Sequence, residues 1–172
     1  MQRVKEGNLQ ELATLFERYH VRLFNFFLKL TGDRNLSQDL TQNLFYRILK
    51  YRSSFKEGNS FKSWIYQMAR NIHYDYCREH QKQNEHFTGV GSHSEEVSDA
   101  TDAFSQEDFD RLDTALSKLE SGQREIIILS RYQGLKYEEI SKITDLSVPA
   151  IKVQVHRAIK QLRALYFKLQ NI

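Results

Sequence analysis

The chain has 172 residues, 40% of them apolar and 27% charged, a balance that excludes a wholly disordered polymer and suffices for one domain or two small ones. Its single cysteine, Cys77, excludes an intrachain disulfide framework or a cysteine-rich zinc site. No apolar run of about eighteen residues occurs, and MQRVKEGNLQ lacks a secretion signal's apolar core, so no membrane insertion and a cytoplasmic location are expected.

The net charge of +3 is unevenly spread. Residues 1–81 carry a net +5, residues 82–110 a net −7 and residues 111–172 a net +5. Two basic bodies joined by an acidic strap offer two surfaces to a polyanion and a connector that avoids or imitates it. A solvated acidic linker with no further role fits the same charge pattern.

Apolar residues recur at helical spacing almost everywhere outside the strap. Leu9, Leu12, Ala13, Phe16 and Tyr19 predict a first helix, and Leu23, Phe24, Phe27 and Leu30 a second, ended by Gly32. Asn35 or Ser37 opens a third, running to about Tyr51, whose outward residues Asp39, Gln42, Asn43, Tyr46 and Lys50 make a face, polar and uncharged in its middle, that suits protein docking, although a surface of no consequence accounts for it more simply. The segment 52–60, RSSFKEGNS, is a loop by composition, with Phe55 and Lys56 at its tip.

Ser60 caps a fourth helix from Phe61 to about His80. Phe61, Ile65, Met68, Ala69, Ile72 and Tyr76 are expected to face a core, leaving Lys62, Tyr66, Arg70, His73 and Tyr74 together outside. Interleaved aromatic and cationic side chains offer planes for bases and charges for phosphates, as single-stranded nucleic acid requires. Tyrosines at the rim of a small core with hydroxyls in water account for the pattern equally well. His73 and Cys77 stand four apart, half of a zinc site without a second pair.

Periodicity lapses between Gln81 and Ser105, predicting a flexible acidic linker. It returns with Phe109, Leu112, Leu116 and Leu119, breaks at Ser121-Gly122, and resumes from Gln123 to Gln133. The stretch from Tyr137 to Arg163, YEEISKITDLSVPAIKVQVHRAIKQLR, then reads as two helices joined by a short turn, the second longer and basic: the layout of a DNA-reading helix-turn-helix. Ser147 is the expected cap and Pro149, the only proline, lies in the first turn. Ile151, Val155, Ala158, Ile159, Leu162, Leu165 and Leu169 form one stripe, opposite Lys152, Val153, His156, Lys160 and Arg163. An apolar Val153 opposite the core stripe fits contact with a thymine methyl.

The expected fold is all-α: two small helical domains, 1–80 and 106–172, joined by the linker 81–105, with the helix-turn-helix in the second. No phosphate-cradling glycine loop, catalytic carboxylate pair or nucleophile motif is read, so neither enzymatic activity, a cofactor, a metal nor a small-molecule substrate is expected.

Three runs, YHVRLFNFFLKLTGDRNLSQDLTQNLFYRILKY, FKSWIYQMARNIHYDYCR and LSKLESGQREIIILSRYQGLKYEEISKITDLSVPAIKVQVHRAIKQLR, resemble in order and spacing the extracytoplasmic-function sigma factors of bacterial RNA polymerase. The resemblance implies core RNA polymerase and promoter DNA as partners, with an anti-sigma factor that can hold the protein inactive at the inner membrane. It assigns polymerase binding to Asp39, Gln42, Asn43 and Tyr46, and minus-ten recognition and melting to Phe55, Lys56, Lys62, Tyr66, Arg70, Asn71 and Tyr74. It assigns the minus-thirty-five element to Ser147, Pro149, Lys152, Val153, Gln154, His156 and Arg157, and the strap to the path of nascent RNA. Asn43 departs from the group's usual acidic residue at the core-polymerase contact, and Asp145, Pro149 and Gln154 depart in the helix-turn-helix, so promoter preference is expected to differ. The rival expectation is a helix-turn-helix repressor or activator that acts without polymerase.

Overall fold

A computed structural model describes residues 1–7, 10–84 and 106–170. Among these, eight α-helices and no strand occur, so the all-α class holds. The helices are α1 (Gln2–Lys5), α2 (Gln10–Thr31), α3 (Arg34–Lys50), α4 (Phe61–Asn84), α5 (Gln106–Ser117), α6 (Ser121–Ile127), α7 (Tyr137–Thr144) and α8 (Val148–Gln170). A single 3-10 turn, Arg52–Ser54, follows α3, and a π-helical turn, Ile128–Tyr132, continues α6.

The two helices expected between Leu9 and Leu30 are one. Nothing from Arg18 to Arg22 breaks a helix, and α2 passes through the interval as a single rod burying Leu23, Phe26, Phe27 and Leu30. Leu9 lies outside the described residues, as does 85–105, the greater part of the expected linker. Helix α4 continues beyond His80 to Asn84. The break placed at Ser121-Gly122 falls just before it, since Ser121 already opens α6.

Helix starts follow local chemistry. Asp33 has extended backbone and its carboxylate accepts the Leu36 N–H at 3.0 Å, starting α3 immediately after Gly32, whose φ is +70°. Asp33→Ala is therefore expected to lower stability by about 1 kcal/mol in urea unfolding. Ser60 accepts the Ser63 N–H at 3.3 Å at the head of α4, and Ser147 accepts the Ala150 N–H at 3.4 Å at the head of α8.

Most of the buried apolar residues form one connected core. Leu23, Phe26, Phe27, Leu40, Leu44, Ile48, Ile65 and Ile72 from the first half join Leu116, Ile126, Ile127, Ile128, Ile140 and Ile151 from the second. Helix α4 packs along α7, and α2 meets α5, α6 and the π-helical turn. Polar contacts also cross between the halves: Lys29 pairs with Asp113 at 2.8 Å, and Arg124 donates to the Leu30 carbonyl at 3.1 Å. Among the described residues, no helix is long and apolar enough to cross a membrane.

Candidate nucleic-acid and protein interfaces

Three groups of side chains carry the expected sites, and the fold treats them differently. On α3, Leu40, Leu44 and Ile48 are buried, which turns Asp39, Gln42, Asn43 and Tyr46 outward, all exposed. Tyr46 is 62% exposed, with the Lys50 ammonium 6.0 Å from its ring centre. Beside this face, Phe16 is exposed rather than in the core, packing against Phe45 with ring centres 4.7 Å apart and stacking on His20 at 4.8 Å. Phe16 continues the apolar steps that predict a helix here, yet it stays at the surface, against Phe45 of α3.

The second group is the face of α4. Lys62, Tyr66, Arg70 and Tyr74 recur at four-residue steps and share one side of the helix. They were expected outside. Instead Tyr66 is fully buried, Lys62 and Arg70 are half-buried, and only Tyr74 and Asn71 are exposed. The cause is the second half of the chain, which lies over this side. The Tyr66 hydroxyl donates to Gln133 Oε1 at 2.6 Å, and its ring meets Phe26 edge-on at 5.4 Å. Arg70 Nε donates to Glu125 Oε1 at 3.0 Å, and the Tyr74 hydroxyl donates to Glu125 Oε2 at 3.3 Å. The guanidinium lies over the Tyr74 ring at 4.7 Å, and Lys62 Nζ donates to the Gly134 carbonyl at 3.5 Å.

Burial sets the electrostatics here. It raises the Tyr66 hydroxyl far above the usual tyrosine range, against the opposing charge of Arg22. It raises the Glu125 carboxyl too, against the opposing pull of Arg70 and of the hydrogen bonds from Tyr74 and Arg70. Burial and the nearby Arg124 charge lower the His73 imidazole, whose Nε2 is 3.6 Å from Cys77 Sγ.

Phe55 is a second reversal. It was placed at a loop tip, but it is buried, edge-on to Trp64 at 5.5 Å and to Phe61 at 6.2 Å. A phenylalanine in a short polar loop between two amphipathic helices folds back onto the apolar end of the following one, leaving Lys56 exposed.

The third group is the helix-turn-helix. Helix α7 buries Ile140, Ile143 and Thr144, and α8 buries Ile151, Val155 and Ala158. Asp145 ends α7 in a left-handed conformation with φ 59°, its N–H donating to the Ser141 carbonyl at 2.9 Å. The Ser141 hydroxyl donates to the Leu146 carbonyl at 2.6 Å, tightening the turn. Aspartate tolerates this backbone better than most residues, so the turn closes without glycine. Ser147, Pro149, Lys152, Val153, His156 and Arg157 are all exposed and Gln154 is half-buried. Val153 is 49% exposed on an otherwise polar and cationic face.

Gln133, Gly134 and Glu125 were not among the expected site residues. Glu125 carried a weak signal, an acidic side chain immediately before the apolar run Ile126 to Leu129. Nothing in the sequence indicated which surface it would meet.

Two family descriptions match in chain order: sigma-70 region 2 over residues 15–83, and sigma-70, region 4 over residues 109–162. The RNA polymerase sigma factor CarQ of Myxococcus xanthus is 28% identical over 99% of this chain and 97% of its own length. The extracytoplasmic-function sigma factor SigX of Bacillus subtilis is 28% identical over 87% of this chain and 80% of its own. Among solved structures, the sigma factor RpoE in complex with the anti-sigma factor NepR from Bartonella quintana superposes with a TM-score of 0.79 at 26% identity, covering 91% of this chain and 96% of that one.

Proposed function

The chain belongs to the extracytoplasmic-function sigma factors of bacterial RNA polymerase and acts in transcription initiation, and from that premise we propose which of its surfaces meets each partner. The observation that carries the reading is the order of its parts: a region 2 match that includes α3 and α4, then a region 4 match that includes the helix-turn-helix. A repressor acting without polymerase has no use for the first. Sigma factors regulate transcription without chemistry of their own, and every role assigned below is one of binding.

The exposed face of α3 is the polymerase-binding surface, with Asp39, Gln42 and Asn43 as hydrogen-bonding groups and Tyr46 as the aromatic anchor. A projecting tyrosine beside polar groups supplies buried area and directionality together. Tyr46→Ala is expected to weaken core-polymerase binding by about tenfold or more, as for a central aromatic anchor. Surface plasmon resonance on immobilised core enzyme measures this, and unchanged affinity removes Tyr46 from the contact.

Helix α4 captures the unpaired minus-ten strand through Lys62, Arg70, Asn71 and Tyr74, with Lys56 from the preceding loop. Tyr66 and Phe55 are buried while the chain is free, Tyr66 on the side of α4 that the second half covers and Phe55 against Trp64 and Phe61. Helix α8 reads upstream duplex. Lys152, Val153 and Gln154 lie toward base edges and His156 and Arg157 toward phosphates, with Ser147 and Pro149 at the end of α8 that enters the groove first. Gln154 suits adenine, through paired contacts to its N6 and N7.

Because RpoE has been captured with the anti-sigma factor NepR, we infer an anti-sigma partner for this chain as well, and a cytoplasmic site of action. Run-off transcription with purified core polymerase and genomic promoters tests the whole reading. Promoter-specific product that depends on added protein supports it. Operator binding without polymerase, and no such product, overturns it.

A further inference from the structure

Two buried apolar side chains, Val4 and Phe55, lie outside the main core. They belong to segments that meet: α1 packs on the 3-10 turn Arg52–Ser54, and Phe55 is the residue that follows it. Lys5 Nζ, at the end of α1, donates to the Phe55 carbonyl at 3.2 Å across 50 positions of sequence. A part-buried loop carbonyl needs a donor, and because this one comes from another element it ties the loop to α1. The loop is thus held from two sides, its Phe55 ring against Trp64 and Phe61 and its main chain by α1. Directly after Phe55 comes a tight turn, in which the Asn59 N–H donates to the Lys56 carbonyl at 3.2 Å and Gly58 takes φ +83°, leaving the Lys56 side chain exposed. That φ suits the third residue of a type II turn, a place glycine takes without strain.

We propose that α1 braces the minus-ten loop: Val4 and Lys5 are positioning residues that set where residues 52–60 stand against the captured strand, and so which minus-ten bases the chain prefers. The proposal rests on the assignment of that loop to the minus-ten element. A site carried on a loop is only as precise as the residues that support it, and here the support lies in a short helix far away in the sequence. Val4 and Lys5 touch no DNA in this scheme and act through the loop's backbone alone. Neither belongs to the polymerase-binding face of α3 or to the strand-capturing face of α4.

The test is transcription by holoenzyme, core polymerase with the full chain, from a pool of templates: one promoter recovered by the run-off assay, its minus-ten positions randomised, with transcripts counted by sequencing. A wrong base ordinarily costs about fivefold or more in binding, and Lys5→Ala and Val4→Ala are each expected to narrow the spread between best and worst base at a minus-ten position by about threefold or more. Lys5→Arg, which keeps a charged donor of similar reach, is expected to retain wild-type preferences. Arg3→Ala removes the same charge from α1 but breaks only an exposed pair with Glu11, and should also leave them unchanged. Circular dichroism verifies that each variant is folded at the assay temperature; Lys5 is exposed, so Lys5→Ala decides the matter where Val4→Ala is unstable.

Unchanged preferences in Lys5→Ala overturn the proposal. So does a uniform fall in output across the pool, which marks a lost phosphate contact or a merely less stable fold. Lys56→Ala separates the two readings. If it alters minus-ten preference while Lys5→Ala does not, the brace fails and the loop keeps its role. If it leaves minus-ten preference as in wild type, the assignment of the loop fails, and the brace with it.

Discussion

Tyr66→Ala is expected to destabilise the folded chain by about 3–5 kcal/mol, the range for deleting a large buried aromatic ring. Tyr66 is fully buried against Phe26, on the side of α4 that the second half covers. Since domains of this size are stable by about 5–15 kcal/mol, the loss takes a large share of the total. Tyr66→Phe keeps the ring and gives up only the 2.6 Å hydrogen bond to Gln133, at a cost of about 1 kcal/mol, or more if the Gln133 oxygen is left dry. Urea unfolding followed by circular dichroism measures both. Equal and small effects would mean that the ring is solvated in solution and the halves are apart. The residue is therefore a poor probe of promoter melting, because an alanine there changes the fold before it changes any DNA contact.

The sequence carried most of this architecture because its signals were local. Ser60 and Ser147 each accept a hydrogen bond from the first turn of a helix, as their positions predict, whereas Asp33 rather than the expected Asn35 or Ser37 opens α3. The stripe Ile151, Val155 and Ala158 is buried because three- and four-residue spacing fixes one face of α8 and leaves Lys152, Val153, His156 and Arg157 outside. Misreadings arose where the outcome depended on something distant. Helical periodicity says that Tyr66 and Ile65 point in different directions; it does not say that a second apolar surface waits on the Tyr66 side. Phe55 was legible as a loop residue, yet whether a loop aromatic projects or folds back depends on Trp64 and Phe61. Glu125 pairs with residues more than fifty positions away, and no spacing rule reaches that far. The division of α2 into two helices was a local error, a gap in apolar residues taken for a break when no breaker stood in it.

Replacing Arg70 and Tyr74 together by alanine is expected to reduce open-complex formation by about tenfold to a hundredfold, since each lost base stack is worth about 1–3 kcal/mol. Permanganate reactivity of unpaired promoter thymines reads the effect directly. Core-polymerase affinity should hold, because Asp39, Gln42, Asn43 and Tyr46 lie on a different helix. The same double variant also removes both groups that hold Glu125, so it loosens the contact between the halves. Loosening alone would ease the entry of DNA. The two effects thus act in opposite directions: a variant that opens more readily but melts less has lost strand capture itself, whereas unchanged melting would mean that Arg70 and Tyr74 serve only to fasten the halves together.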